Sequence, residues 1–472
     1  MPIILYLLLI WSIHLLVAKI HCIDSQQQHQ QQVLARNMSS LKKNYRIRVK
    51  QPISSCENAT QYSGYIDNLE TDEHVFFLFL PSSFSPKTDP VVLMLHGEFD
   101  CSSIMDSWFQ TGLCLIKKSS GIETNPFSFN HIGNLLYIEL PSNVGFSHRS
   151  KGKSTTNNAH IVESIYQFLQ SFFTEFHEFS LNDFHMSGSA YGTQYIPPLA
   201  TRIIRENRYA ESRNKIPIQL NSIILGNGLI NPRVQDLSYV DYACDNDDEQ
   251  YKPIYDKITC QTMLNNRRKC DYLLDHCKTA IQPSASCIPV SIFCSKTQLD
   301  PFTKTGLNPY DIRRKCTYQS QRPEAIPKYC YPDIASIENH LNQQKIRTEY
   351  GIDFEAGNRN SEFKSTMLDI EKILATPVRV LVYVGDMNYK YNWRGQKTWL
   401  SQLDWVGQAE FNKASDKDWI SYVSGTKAGT VKTWQNIAFV KVFEAGQFAI
   451  YDQPANMIDL YSRWMLNMSL SY

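Results

Sequence analysis

Short apolar runs alternate with longer segments of helical character along most of this chain. The runs are Val75–Leu80, Val91–Leu95, Leu135–Leu140, Ser222–Leu225, Val378–Val384 and Phe439–Phe443. Runs of this length without polar alternation are typical of strands that are buried on both faces of a sheet. The pattern therefore predicts an α/β protein with a mostly parallel central sheet. Its folded part is expected to begin near Tyr62.

A cysteine-rich segment interrupts this alternation. Eight of the 12 cysteines lie between Cys244 and Cys330, and they predict a disulfide-rich helical cap inserted at about 240–340 within a single domain of residues 51–472. A zinc site is the competing reading. It is disfavoured because the segment has no paired C-x-x-C motifs and only one histidine, His276. We therefore predict neither a metal nor a cofactor.

The first residues of the chain indicate a compartment. The apolar run Pro2–Ala18 predicts a secretory signal peptide over residues 1–22, with an uncleaved signal anchor as the alternative. Residues 23–50 are interpreted as a Gln-rich tail or short pro-segment. The sequons at Asn37, Asn58 and Asn467 are consistent with a glycoprotein of the vacuolar, lysosome-like or extracellular space. The net charge of +1 argues against a nucleic-acid partner, and no later stretch is apolar enough to span a bilayer.

One motif bears directly on chemistry. A predicted strand at Asp183–Met186, a turn bracketed by glycines and a predicted helix from Tyr191 to about Arg205 form the pattern of a nucleophile elbow. The apex of that turn is Ala190, whose side chain has no oxygen for nucleophilic attack.

Four further motifs carry a family resemblance. Gly-Ser-Ala-Tyr at 188–191, Pro-Ser-Asn-Val-Gly-Phe-Ser at 141–147, Gly-Asn-Gly-Leu at 226–229 and Asn-Pro-Tyr-Asp-Ile-Arg-Arg-Lys-Cys at 308–316 resemble serine carboxypeptidases. The likeness extends from about Gln51 to Leu470. It implies an α/β-hydrolase fold and carboxypeptidase chemistry for the family as a whole.

The same resemblance assigns positions in this chain to the family's active site. The catalytic triad falls on Ala190, Asn388 and Gln447, and none of these side chains can perform its role. The oxyanion amides fall on Glu98 and Tyr191. The positions that bind the substrate carboxylate fall on His96, Gln110 and Ser189. The cap disulfides implied by the resemblance are Cys244–Cys260, Cys270–Cys294, Cys277–Cys287 and Cys316–Cys330, and Cys56, Cys101 and Cys114 remain, of which Cys101–Cys114 is the expected local pair.

These assignments favour a catalytically inactive member of the family that binds a peptide or protein, or regulates an active relative. The alternative is an enzyme, either a weak carboxypeptidase or a hydrolase that uses a relocated base such as His96.

Overall fold

The computed structural model describes residues 44–52, 59–97, 103–142, 145–149, 158–244, 252–278, 283–316, 330–350 and 365–471. The predicted signal peptide, Asn37, Asn58, Glu98, Cys56 and Cys101 lie outside these residues. The backbone of His96 and Cys277 is described, but their side chains are not.

A twelve-stranded sheet forms the centre of the molecule, in the order β1-β2-β3-β7-β4-β9-β10-β13-β16-β15-β14, with β8 paired to β3. From β7 to β16 neighbouring strands are parallel, whereas the pairs at both edges are antiparallel. The strands of this sheet are β1 (Tyr45–Lys50), β2 (Tyr62–Asn68), β3 (Glu73–Leu80), β4 (Val91–Gly97), β7 (Asn134–Ile138), β8 (His148–Arg149), β9 (Phe184–Ala190), β10 (Leu220–Gly228), β13 (Arg379–Gly385), β14 (Lys417–Ile420), β15 (Lys427–Trp434) and β16 (Ile437–Val442). Two hairpins stand apart from it, namely β5 (Cys114–Lys117) with β6 (Gly121–Thr124) and β11 (Leu307–Asn308) with β12 (Asp311–Lys315).

Helices follow most of the central strands. The α-helices are α1 (Ser103–Asp106), α2 (Asn158–Glu175), α3 (Ile196–Asn207), α4 (Pro232–Leu237), α5 (Tyr239–Cys244), α6 (Lys257–Lys278), α7 (Pro283–Thr303), α8 (Pro332–Leu341), α9 (Gln344–Tyr350), α10 (Met367–Leu374), α11 (Trp393–Ser401), α12 (Gln408–Lys413), α13 (Ala449–Asp452) and α14 (Pro454–Met465). A π-helical turn covers Ser107–Thr111, and 3-10 turns cover Phe129–His131, His177–Phe179 and Tyr191–Gln194.

Both faces of the sheet are buried, which explains why its central strands lack polar alternation. Along β4, Val91 and Leu93 belong to the core under α2 and α3, whereas Val92 and Met94 belong to the core under α14. Strands covered on both sides need apolar side chains at consecutive positions. The predicted α/β-hydrolase fold is confirmed, and its sheet is mixed because antiparallel strands extend both edges.

The sheet begins earlier than the expected start near Tyr62. Strand β1 lies inside the segment interpreted as a tail, and its six residues pair with β2. Tyr45 and Ile47 pack on the core, and the alternating arginines Arg46 and Arg48 both form salt bridges with the buried carboxylate of Asp67. The alternation of apolar and charged residues over this short stretch therefore indicates a strand, although the stretch is less apolar than the runs that predicted the other strands.

Between β10 and β13 the described residues form seven α-helices, α4 to α10, and the hairpin of β11 and β12, and the predicted cap is the part of this segment at about 240–340. Three of the implied disulfides are present: Cys244–Cys260, Cys270–Cys294 and Cys316–Cys330, with Cα–Cα distances of 5.7, 5.5 and 5.4 Å. Cys287 and Cys114 are also disulfide-bonded. Such bonds are typical of proteins that fold in an oxidising compartment.

Within the described ranges, no helix is both long and apolar enough to cross a membrane.

Candidate active site

The elbow at the end of β9 has the sharp geometry of a catalytic turn. Ala190 adopts φ 50° and ψ −116°, a backbone conformation that strains residues with a Cβ. The turn packs tightly, since a Cβ added to Gly192 would lie 1.6 Å from the carbonyl oxygen of Leu95. The helix predicted from Tyr191 starts as a 3-10 turn and becomes α-helical at Ile196.

The carboxyl ends of the parallel strands bring the three expected triad positions to one edge of the sheet. Ala190 is paired with Gly97 of β4 on one side and with Gly228 of β10 on the other. Asn388 follows β13 and Gln447 follows β16, the next two strands in the sheet. This edge is where α/β proteins generally place their ligands.

The side chains of Asn388 and Gln447 contact each other directly. The Asn388 Nδ2 donates to Gln447 Oε1 at 2.7 Å and to Asn227 Oδ1 at 3.2 Å. The Gln447 Nε2 donates to the backbone oxygen of Asn227 at 3.2 Å. Asn388 and Gln447 are both buried. Two neutral amides thus form a hydrogen bond at the positions that the resemblance assigns to an aspartate and a histidine.

Backbone groups fix the orientation of every amide in this network. The Asn388 Oδ1 accepts from the Tyr391 amide at 3.1 Å, and the Asn227 Oδ1 accepts from the Gly385 amide at 2.9 Å. A backbone N–H can only donate and a backbone carbonyl can only accept. The Nδ2 of Asn388 must therefore face the two side-chain oxygens of Gln447 and Asn227.

The space beside the elbow apex is apolar. Ala190, Leu229 and Tyr391 form a small buried cluster. The Lys390 ammonium lies 5.4 Å from the centre of the Tyr391 ring and donates to the Tyr310 hydroxyl at 2.6 Å. The two side chains that cluster with Ala190 thus include neither a carboxylate nor an imidazole.

The positions that the resemblance assigns to carboxylate binding, His96, Gln110 and Ser189, differ in their surroundings. The Gln110 Nε2 donates to Asp106 Oδ1 one helical turn earlier, and the Gln110 Oε1 accepts from the Tyr451 amide at 3.1 Å. Both ends of this amide are therefore engaged within the protein. Ser189 is half-buried on β9, next to the apex. The side chain of His96 and all of Glu98 lie outside the described residues, whereas Tyr191 opens the 3-10 turn and packs its ring on Tyr195 at 5.2 Å.

Ser187, another serine of β9, has a structural partner. The buried hydroxyl of Ser187 lies 2.7 Å from the Tyr461 hydroxyl, below the apex.

Three aromatic side chains on the Gln110 side form what is called the aromatic wall below. Phe109 stacks on Tyr451 at 4.6 Å and meets Phe448 edge-on at 5.0 Å.

Sequence reasoning missed two residues that organise the site. Asn227 is the last residue but one of β10 and forms hydrogen bonds with both Asn388 and Gln447. Its only signal in the sequence was the Gly-Asn-Gly motif. Asp106 holds Gln110, and its signal was the i, i+4 spacing on one helical turn. Both act through hydrogen bonds that a one-dimensional pattern does not specify.

Taken together, the parallel-centred sheet, the elbow after a central strand and the two converging loops define a protein of the α/β-hydrolase class. Residues 51–467 match the family model for serine carboxypeptidases. Carboxypeptidase Y of Komagataella phaffii is 34% identical over 438 residues, which cover 89% of this chain and 79% of that protein. Carboxypeptidase Y of Candida albicans is 33% identical over 436 residues, covering 89% and 75%.

A solved structure agrees with the fold. Kex1(delta)p, a prohormone-processing carboxypeptidase from Saccharomyces cerevisiae, superposes with a TM-score of 0.70 at 20% identity, covering 88% of this chain and 94% of that one. The chain therefore belongs to the serine carboxypeptidase family.

Proposed function

We propose that this chain is a catalytically inactive serine-carboxypeptidase-like protein that binds a peptide or a protein segment at the edge where Ala190, Asn388 and Gln447 meet. The observation that carries the proposal is the hydrogen-bonded amide pair beside an alanine apex. A serine hydrolase needs a nucleophilic oxygen, a base that takes its proton and an acid that stabilises the resulting cation. Loss of the nucleophile or the base alone typically lowers turnover by about 10⁶-fold.

The network supports loss of hydrolysis beyond the missing serine. An amide has no basicity near neutral pH, and the Asn388–Gln447 pair places its hydrogen-bonding groups on each other and on Asn227. The amides satisfy one another in a buried setting, which is a stable arrangement rather than an unfilled one.

The hydrogen bonds of Gln110 suggest that the ligand does not need a free carboxyl terminus. In this family the substrate's terminal carboxylate is expected at this position, but here Gln110 binds Asp106 and the Tyr451 amide. Recognition would then depend on the aromatic wall of Phe109, Tyr451 and Phe448. We accordingly propose that internal segments of a polypeptide bind as well as its carboxyl terminus does.

An activity-based label tests the inactive state. A fluorophosphonate reacts only with an activated serine, so we expect no labelling of the natural chain and none of Ala190→Ser alone, which still lacks a base. The triple variant Ala190→Ser, Asn388→Asp, Gln447→His should label slowly. Labelling of the natural chain on any serine would refute the proposal.

A binding assay tests the ligand. Fluorescent peptides with a free or an amidated carboxyl terminus should bind the natural chain with affinities within about threefold of each other. Phe448→Ala should weaken both, because it removes part of the aromatic wall. The matched control is Phe84→Ala, at a side chain that is 75% exposed and whose ring is tilted against that of His131. A requirement for the free carboxylate, or equal loss in both variants, would contradict this mode of binding.

The compartment is also a proposal. We infer that the protein acts in the secretory or vacuolar lumen, which the disulfides and the sequons support. Asn467 is exposed just beyond α14, where a glycosyltransferase has access. Asn467→Gln should remove one glycan in a gel-shift assay with endoglycosidase; an unchanged mobility would contradict modification at this site.

A further inference from the structure

The hairpin of β11 and β12 contacts both of the loops that follow β13 and β16. The Pro309 carbonyl accepts from the amides of Tyr389 at 3.1 Å and Lys390 at 3.0 Å, in the loop after β13. The Tyr310 carbonyl accepts from the amide of Gln447 at 2.7 Å, in the loop after β16. A single turn of the cap therefore binds the backbone of both loops of the candidate site.

The contact between the hairpin and the loop after β16 leaves no free space. A Cβ added to Gly446 would lie 2.4 Å from the Tyr310 carbonyl oxygen and 2.7 Å from the Asp311 Cβ. Glu444, near the start of the same loop, adopts φ 53°, a conformation that strains a residue with a Cβ. Its carbonyl accepts from the Arg313 guanidinium at 2.5 Å. The hairpin thus supports a loop conformation that is strained on its own.

Four charged side chains fasten the hairpin to the short helix α13. Arg313 forms salt bridges with Asp452 at 3.2 Å and with Asp311 at 2.8 Å. Arg314 forms salt bridges with the same two carboxylates at 3.0 and 2.9 Å. The side chains of Asp311 and Asp452 are 0% and 2% exposed, and Asp452 also accepts from the Gly446 amide at 2.8 Å. Loss of the Asp452 carboxylate would leave two guanidinium groups to share Asp311 alone.

The same charged cluster contacts the aromatic wall. Tyr451 directly precedes Asp452 on α13, and the Arg314 guanidinium lies 5.8 Å from the centre of its ring. Arg314 also lies 5.3 Å from the ring centre of Tyr331, which meets Phe448 edge-on at 4.8 Å. The charges that fasten the hairpin are therefore continuous with the rings that line the candidate site.

We propose that Asp452 is a positioning residue of the candidate site, which fastens the hairpin of β11 and β12 onto both loops and so fixes the aromatic wall. Its carboxylate is almost fully buried, so it acts through Arg313 and Arg314 rather than on a ligand. The Asp-Ile-Arg-Arg stretch at 311–314, part of the family motif at 308–316, supplies the other three charges. The inference rests on the proposed function, in which a polypeptide binds at the wall, but the fastening itself involves no ligand.

Hydrogen–deuterium exchange of the full chain, without a ligand, tests the fastening. The Gly446 amide donates to Asp452 and the Gln447 amide donates to the hairpin, so both should exchange at least tenfold faster in Asp452→Asn. Asp452→Glu, which keeps the charge, should recover part of this protection. The matched control is Asp418→Asn on the edge strand β14, where Asp418 pairs with Lys427 at 2.8 Å, and it should leave both amides unchanged.

Peptide affinity, measured with the same fluorescent peptides, tests the consequence for the site. Asp452→Asn should weaken binding at least tenfold, and so should Arg314→Gln. The combined variant should bind little more weakly than either single variant, because both substitutions break the same cluster. Losses that multiply in the combined variant would indicate general instability and would overturn the inference.

The two measurements separate this inference from the proposed function. If the natural chain binds no peptide, the proposed function fails, and the exchange of the Gln447 amide alone decides whether Asp452 positions the loop. Unchanged exchange in Asp452→Asn would overturn the inference, and so would unchanged affinity where the natural chain does bind. Circular dichroism shows whether each variant is folded; if Asp452→Asn is not, Arg314→Gln decides by the same two measurements.

Discussion

Acid should destabilise this protein through one buried histidine. His185 on β9 is fully buried, with Nδ1 2.7 Å from the Ser222 hydroxyl. Burial, assisted by the charge of Arg379, lowers the pKa of His185 from 6.5 to about 3. The imidazole therefore binds a proton near pH 6.5 in the unfolded chain but stays neutral in the folded chain. The contribution of His185 to the free energy of unfolding is fully present above pH 6.5 and is lost as the pH falls toward 3, because protonation favours the unfolded state.

The magnitude at pH 5.0 depends little on how far the folded pKa is lowered, since the folded imidazole is neutral there in any case. That pH lies about 1.5 units below the unfolded value, and each unit corresponds to about 1.36 kcal/mol. His185 should therefore remove about 2 kcal/mol of unfolding free energy between pH 7.5 and pH 5.0.

The assay is urea unfolding at both pH values, followed by tryptophan fluorescence. His185→Asn keeps a polar atom near Ser222 and cannot titrate, so its loss between the two pH values should be about 2 kcal/mol smaller than that of the natural chain. Because each protein is compared between the two pH values, the free-energy cost of the cavity that the substitution leaves cancels. His177→Asn, at an exposed histidine, is the matched control and should behave as the natural chain does. Equal pH dependence in His185→Asn and the natural chain would refute the reasoning.

Three further predictions concern the active-site frame. Asn388→Asp and Gln447→His should each destabilise the fold, because a carboxylate at position 388 alone would face two amide oxygens. In a double-mutant cycle of urea unfolding, the combined variant should be less destabilised than the sum of the single variants by about 1 kcal/mol or more. Additive effects would contradict the network. Ala190→Gly should raise the unfolding free energy by up to about 1 kcal/mol, because relief of backbone strain of about 1–3 kcal/mol exceeds the loss of one buried methyl group; a clear loss of stability would show that the strain is not real. Gly192→Ala should lower the melting temperature sharply or prevent folding, since its Cβ would meet the Leu95 carbonyl; an unchanged melting temperature would contradict the tight packing of the elbow.

The sequence predicted the central strands because burial on both faces makes them continuous apolar runs. The predicted run at Val378–Val384 is strand β13, shifted by one residue at each end. The edge strand β1 was missed because none of its residues is fully buried, and Arg46 and Arg48 are held by salt bridges with the distant Asp67. Tertiary partners decide the structure of such a segment more than its own composition does.

The candidate site was predictable in its positions but not in its contacts. Strand order and the elbow motif indicate that three loops meet at one edge. That Asn388 and Gln447 bond to each other, and that Asn227 fixes both, depends on distances of about 3 Å between loops far apart in the chain. Similarly, the sequence predicts that Gln110 can bind a ligand, but its side-chain amide forms hydrogen bonds with Asp106 and with the backbone of Tyr451.

The fixed orientation of the amides has a consequence for the alignment of the three loops. Because backbone groups dictate which end of each amide is nitrogen and which is oxygen, Asn227, Asn388 and Gln447 each have one side-chain orientation that satisfies their partners. The loops after β10, β13 and β16 are therefore held in one relative position by directional polar contacts, which apolar packing alone would not specify.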